Sequence, residues 1–248
     1  MPKILLRFKP FLVKIIIFSR NLFKSFKKIL TYFKSIYLRI IYPFQIKSYL
    51  KNDFRKLQLG SGDNLMEGWF NTDLYPKKGF IYLDVSKPLP IPSSSFDRIF
   101  SEHMIEHVSF QESYLFLKEC HRILKPGGRI RIATPDLDHY LHLFNSEKSS
   151  LDEEYIDWIS KNWLIRGGIT FKNPSMFINL VMHSWGHEFI FDFDTFNSVL
   201  KEIGFKDVTR HVSQESFDVN FKNIERHGAF IGNQKMNSLE TLNVEATK

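Results

Sequence analysis

The apolar positions change rhythm once along the chain. Leu22, Phe26, Ile29, Phe33, Ile36 and Ile40 recur at spacings of four and three, which places them on one face of a helix. Lys24, Lys27, Lys28 and Lys34 fall mostly off that stripe, and Pro10 and Pro43 punctuate its ends. From Lys56 onward the apolar runs become short and are separated by Gly, Pro, Ser and Asp. Seven of them predict strands, over residues 56–59, 69–73, 80–83, 96–100, 129–133, 205–212 and 241–246. An amphipathic helix is predicted over 111–124, with Tyr114, Leu117, His121 and Leu124 on one side and Lys125-Pro126-Gly127-Gly128 ending it. Another is predicted over 195–203, closed by Gly204.

Strands alternating with helices argue for an α/β fold, an open and mostly parallel sheet with right-handed crossovers. The segment 136–191 does not fit a short crossover. It carries helical patterns around 138–145, 151–163 and 174–182, together with Trp158, Trp163, Trp185, His183 and His187. Inserted after the fifth strand, it would lie over the carboxyl edge of the sheet, where open α/β sheets bind ligands. It is therefore expected to be a substrate cap.

Charge divides the chain in two. Residues 1–50 hold 11 Lys and Arg and no Asp or Glu, while the remainder is mildly acidic although the whole carries +7. The expected organisation is a basic amphipathic helical arm over 1–50 and a domain over 51–248. An apolar face beside many lysines suits an anionic membrane surface. A transit peptide and a helix packing on the body or on a second copy are the alternatives. No 18-residue apolar stretch occurs, so the expectation is a cytoplasmic protein, peripheral on the inner face of the membrane if the arm binds lipid. The one cysteine, Cys120, excludes an internal disulfide and any cysteine-based zinc cluster.

Leu57-Gln58-Leu59 runs into Gly60-Ser61-Gly62, a strand entering a tight glycine turn that lets backbone approach a ligand. Asp73 ends the second strand, where a carboxylate can accept from both ribose hydroxyls of a nucleoside. Asp84 ends the third, where one can accept from an exocyclic amine. The dinucleotide fingerprint fails: its third glycine position is Leu65, and Asp73 lies only 13 residues past Gly60. No phosphate-cradling P-loop is present. A nucleoside ligand without a pyrophosphate fits better.

Five segments in order carry a resemblance. They are Lys-Leu-Gln-Leu-Gly-Ser-Gly (56–62), Gly-Trp-Phe-Asn-Thr-Asp-Leu (68–74), residues 83–97 beginning Leu-Asp-Val and ending Ser-Phe-Asp, Ser-Glu-His-Met-Ile-Glu-His-Val (101–108), and residues 124–137 with Leu-Lys-Pro-Gly-Gly at their head. Together they resemble class I S-adenosylmethionine-dependent methyltransferases, of the methyltransferase type 11 kind and a subgroup tied to surface-polysaccharide biosynthesis. The resemblance implies a Rossmann-like sheet with an antiparallel last strand and S-adenosyl-L-methionine as cofactor. It implies that Leu59, Gly60, Ser61 and Gly62 line the methionine and ribose part and that Asp73 and Leu74 hold the ribose. Asp84 and Val85 would hold the adenine, and Ser101, Glu102 and His103 would close the pocket beneath the sulfonium. Gln58 stands where an acid is frequent in the first strand, and Asp63 where a third glycine is usual.

Methyl transfer to a hydroxyl needs a base to take its proton. His103, His107 and Asp136 are the candidates, after the fourth and fifth predicted strands, with Glu106 able to share a helix face with His103. Trp185 and His187 are expected to border the acceptor. His183 and His187 share a four-residue spacing, but no completing ligands are recognised, so no metal is assigned. The resemblance implies O-methylation of a sugar, glycan or related small hydroxyl acceptor. Two alternatives stay open, a catalytically idle membrane-associated binding protein of the same fold and an RNA methyltransferase gripping phosphates with the arm. Nucleic acid is otherwise disfavoured, because the chain lacks the Asn/Asp-Pro-Pro-aromatic motif and a suitably placed cysteine; the oligomeric state is left open.

Overall fold

The computed structural model describes residues 44–77, 79–144, 147–165, 168, 170 and 172–248. The predicted amphipathic helix over 22–40, and with it most of the basic arm, lies outside the described residues. Among the described residues no helix is long and apolar enough to cross a membrane.

Seven strands form one sheet: β1 Lys56–Leu59, β2 Phe70–Asp73, β3 Ile81–Tyr82, β4 Phe96–Glu102, β5 Leu124–Pro135, β6 Lys206–His211 and β7 Thr241–Thr247. Their order is β3-β2-β1-β4-β5-β7-β6. The pairings from β3 through β5 are parallel, and β7 runs antiparallel to both neighbours. This is the expected Rossmann-like arrangement, mostly parallel with an antiparallel last strand. The order reverses between β1 and β4, and the carboxyl ends of those two strands are where such a sheet opens a crevice. Leu57, Leu59, Ile99 and Phe100 are fully buried there, as central strands covered on both faces require.

The crossover helices within the domain lie on the second half of the sheet. α1, Phe110–Ile123, starts from a capping box in which Ser109 and Glu112 satisfy each other's backbone N–H groups. Its buried stripe is Ser113, Phe116, Leu117, Cys120 and Ile123. The expected stripe is thus rotated. Tyr114 and His121 flank it instead, reaching Glu202 and Phe205, because a later helix packs alongside. That helix, α5, spans Phe193–Ile203 between an Asp192 cap and Gly204, whose φ of 112° is a left-handed stop that favours glycine.

β5 is longer than its predicted core. It begins where α1 ends and runs through Lys125–Gly128, which backbone bonds from Gly127 and to Gly128 tie to Lys248. By contrast, β1–β2, β2–β3 and β3–β4 are joined without helices. Residues ahead of β1 help to cover that side. The Tyr49 ring packs on Phe70 and Phe96, with centroids 4.9 and 6.1 Å away, and its hydroxyl meets the Lys56 and Gly68 carbonyls. The compact unit accordingly begins at Ile46, ahead of the expected boundary at 51.

The insertion builds a second core. α2 Leu137–His142, α3 Ser150–Ile159 with its continuing turn Ser160–Leu164, and α4 Pro174–His183 bury Tyr140, Tyr155, Ile159, Phe177 and Val181 together. Met236 joins that core from α7, Gln234–Glu240. α7 and the single-turn α6, His227–Phe230, lie in a stretch for which no element is predicted. The fully buried Arg131 of β5 fixes the chain leading to them. Its guanidinium donates to Glu225 at 2.5 Å, to Glu245 at 2.6 Å and to the Glu215 carbonyl at 2.9 Å. Two carboxylates and a carbonyl leave this buried charge paired, the condition under which a charge can sit inside a sheet.

Candidate active site

At the carboxyl end of β1 the chain turns through Gly60 and Gly62, at φ 66° and 53°. A Cβ on Gly60 would overlap the Met104 side chain, so only glycine lets the loop lie against β4. The Ser61 N–H and hydroxyl both donate to the Thr72 carbonyl at 2.9 Å. The Gly62 N–H donates to the Asp73 carboxylate at 2.9 Å. Asp73 therefore holds the loop in shape, while its other oxygen accepts from the Tyr75 N–H at 2.7 Å.

Two cavities flank β4. The first is a cleft of about 490 Å³ over the glycine loop, lined by Gly60–Asn64, Glu102, His103, Arg226, His227 and Phe230. The second, of about 430 Å³, lies under the insertion. Its walls are largely aromatic, with Tyr140, Trp158, Trp163, Trp185 and Phe230, and its polar groups include His103, Glu106, His107, His187 and Glu240. His103, His227 and Phe230 line both, so the two cavities meet at one wall.

His103 sits just past β4 with φ 46°, an uncommon backbone state for a side-chain-bearing residue and one found at functional sites. Its N–H is tied to the Ala133 carbonyl at 2.9 Å. The ring Nδ1 lies 3.0 Å from the fully buried Glu106 carboxylate, and Nε2 is buried without a partner. Burial opposes charge on the His103 ring, but the Glu106 hydrogen bond and charge outweigh it and raise the ring above its ordinary pKa. Glu106 is likewise opposed by burial yet held below the usual carboxylate range by His103. His227 stacks on His103 with centroids 3.7 Å apart. Burial first and the His103 charge second push His227 down to about 3.

The sequence-predicted residues divide by position. Gly60, Ser61, Gly62, Glu102 and His103 line the cleft, and His107, Trp185 and His187 line the aromatic cavity. Leu59 and Ser101 are fully buried behind the cleft, the Ser101 hydroxyl donating to the Leu59 carbonyl at 3.1 Å. Asp73 reaches the cleft through Gly62, with Leu74 exposed beside it. Asp84 and Val85 lie in the turn after β3, outside both cavity walls. Burial works to raise the Asp84 carboxyl, but hydrogen bonds from Lys87 and Ser86 prevail and hold it low.

Two of these carboxylates are engaged by other parts of the fold. Glu102 is committed as a clamp, its carboxylate accepting from the Arg226 and His227 N–H groups at 2.8 Å and so pinning α6 over the cleft. Asp136 is turned towards the sheet edge and Arg210. Fully buried, it caps α2, pairs with Arg210 and lines neither cavity; burial, only partly offset by Arg210, pushes it up to about 6. Of the three candidate bases, His103 and His107 line the aromatic cavity.

Sequence reasoning missed Arg226, His227, Phe230 and Glu240. The available signal was length, since a connection of nearly thirty residues between the last two strands is far too long for a plain hairpin. It also paired His187 with the wrong partner. His183 is exposed at the end of α4, whereas His187 meets His107, ring centroids 5.0 Å apart. One ligand atom each from Glu106, His107 and His187 lie within 4.8 Å of one another.

Residues 70–132, about a quarter of the chain, match the family described as "Methyltransferase domain". No curated protein matches the chain. Among solved structures it is similar to a SAM-dependent methyltransferase from Archaeoglobus fulgidus, at 16% identity over 86% of this chain and 93% of that one, with a TM-score of 0.47. It is also similar to an S-adenosylmethionine-dependent methyltransferase from Mesorhizobium loti, at 17% identity over 78% and 90%, with a TM-score of 0.46. A third is the Haemonchus contortus phosphoethanolamine N-methyltransferase 2 in complex with S-adenosyl-L-methionine, at 15% identity over 82% and 52%, with a TM-score of 0.42. The matched segment runs from β2 to β5 and holds Asp73, Asp84 and residues 101–107, so the family match supports a class I methyltransferase domain that uses S-adenosyl-L-methionine.

Proposed function

We propose that the protein transfers a methyl group from S-adenosyl-L-methionine to a hydroxyl of a small acceptor, a sugar or related polyol, seated in the aromatic cavity. One observation carries the choice of a hydroxyl: His103 is anchored on a buried carboxylate through Nδ1 and keeps an unpartnered Nε2 at the wall shared by both cavities. That is the arrangement of a general base whose tautomer is fixed by its neighbour.

The cleft suits the cofactor in size, and its glycine loop has room that a Cβ on Gly60 would remove. Gly60, Ser61 and Gly62 would hold the amino-acid and ribose part, with Asp73 fixing the loop from behind. When bound, S-adenosyl-L-methionine supplies an electrophilic methyl on a sulfonium. The aromatic walls exclude water and orient the acceptor for in-line attack. His103 Nε2 takes the hydroxyl proton as the acceptor oxygen bonds to the methyl carbon. In that transfer the carbon–sulfur bond would break with its electron pair on sulfur, leaving S-adenosylhomocysteine as the second product. Glu106 steadies the imidazolium until the proton passes to solvent.

The test is calorimetric titration of the full chain with S-adenosylhomocysteine, with NAD as comparison, followed by turnover on hydroxyl acceptors. Micromolar binding, about −8 kcal/mol, is expected for the former alone. His103→Ala should lower turnover by ~10²–10⁴-fold while S-adenosylhomocysteine affinity changes little. Equal loss of both would reduce His103 to a structural residue.

A further inference from the structure

We propose that Glu106, His107 and His187 form a binding site for one divalent transition-metal ion, of the zinc, cobalt or nickel kind, in the wall of the aromatic cavity. The three side chains come from two segments some eighty residues apart in sequence. They converge because the Glu188 N–H donates to the Glu106 carbonyl at 2.7 Å, docking the end of the insertion on the 3-10 turn Ile105–His107. Neighbouring ligand positions are thus set by backbone, before any side chain moves.

Each side chain is suited to the task. The His187 Nδ1 lies 2.5 Å from the Val181 carbonyl. A carbonyl only accepts, so Nδ1 carries the proton and Nε2 is left as the nitrogen with a lone pair. A ring held in this way by an outer carbonyl is the usual state of a metal-binding histidine. The Glu106 carboxylate gives Oε1 to His103 and Oε2 to Thr134, at 3.0 and 3.1 Å. An ionised carboxylate has about four acceptor positions, so two such contacts do not exhaust it. His107 is exposed and can swing. Bonds of ~2.0–2.2 Å would draw the ligand atoms nearer to one another than the 4.8 Å that now bounds them, and His107 is the side chain free to close that gap.

Two imidazoles and one carboxylate favour zinc, cobalt, nickel or ferrous iron over magnesium or calcium, which take oxygen ligands. Three protein ligands leave a position open towards the cavity. If the reaction is methyl transfer to a hydroxyl, a metal held there would supply a Lewis-acid position for the acceptor oxygen beside His103. This role rests on the function proposed above; the metal site itself does not.

The test uses the full, untagged chain, stripped with chelator and titrated with Co²⁺ and with Zn²⁺. Calorimetry should show one equivalent bound, and cobalt should develop visible d–d absorption. His107→Ala and His187→Gln should each weaken binding by more than about 10-fold, whereas His142→Ala, outside the cavity, should not. Zn²⁺ should raise the melting temperature of the unmodified chain and not that of His107→Ala, which loses one of the three ligands. Absence of saturable binding, or binding that survives both cavity substitutions, overturns the site. S-adenosylhomocysteine titration of the same samples separates the two proposals. Metal binding without S-adenosylhomocysteine binding would sink the methyl-transfer reading and leave the metal site; the reverse would sink the site alone.

Discussion

The two cavities are built by opposite means. The glycine-loop cleft is a product of the sheet: Gly60–Gly62 follow β1, Glu102 and His103 follow β4, and parallel register sets their spacing. The aromatic cavity is a product of side-chain packing. Tyr140, Trp158 and Val181 come from three helices of the insertion, and Phe230 and Glu240 come from the stretch before β7. A site made by register tolerates change in its core better than one made by packing, because backbone hydrogen bonds persist when a buried ring is lost.

Phe177→Ala puts the largest strain on that comparison. Phe177 is fully buried in the second core, so its truncation should cost ~3–5 kcal/mol in urea unfolding. Turnover should fall with it, while S-adenosylhomocysteine affinity holds. A parallel collapse of affinity would mean that the two regions form one cooperative unit.

Glu106→Gln sharpens the comparison at the shared wall. The carboxylate raises His103, and a base must be unprotonated, so kcat/KM should rise with pH through a value above the ordinary histidine range. Removing the charge lowers the His103 pKa, so that limb should move to lower pH. The plateau should drop by roughly 10²-fold or more, because the imidazolium loses its partner. A limb that stays in place would exclude His103 as the titrating base.

Gly60→Ala acts on the sheet side alone. Its positive φ and the overlap with Met104 should cost of order 1–3 kcal/mol and weaken S-adenosylhomocysteine binding. Asp192→Ala is the smallest change, losing the α5 cap for about 1 kcal/mol with turnover per folded molecule unchanged.

The same division explains what could be read from the sequence. Six of the seven strands lie within two residues of their predicted ends, and α4 within one, since period and punctuation are local signals. β5 outran its prediction because its pairing extends through Pro126-Gly127-Gly128, residues that otherwise mark a turn. The stripe of α1 was misplaced because Ser113 and Cys120 are small residues on the packed face, and hydropathy alone favoured Tyr114. His103 was legible from its motif. His227 was not, since nothing local announces a ring that matters only by stacking on another more than a hundred residues away. Asp136 looked like a base because it follows a strand, and only its pairing with Arg210, 74 residues on, removes it.

Cys120 gives these regions a built-in reporter. It is the only thiol in the chain, fully buried on the sheet-facing side of α1, with burial pushing it well above its ordinary pKa. A disulfide reagent cannot reach it until α1 lifts from the sheet, so the labelling rate in native buffer times the opening of that layer. The insertion contains no cysteine and can open unseen by the reagent. Comparing thiol labelling with tryptophan emission, for which Trp158, Trp163 and Trp185 report the insertion and Trp69 alone the sheet, would rank the local lifetimes of the two layers without altering a single residue.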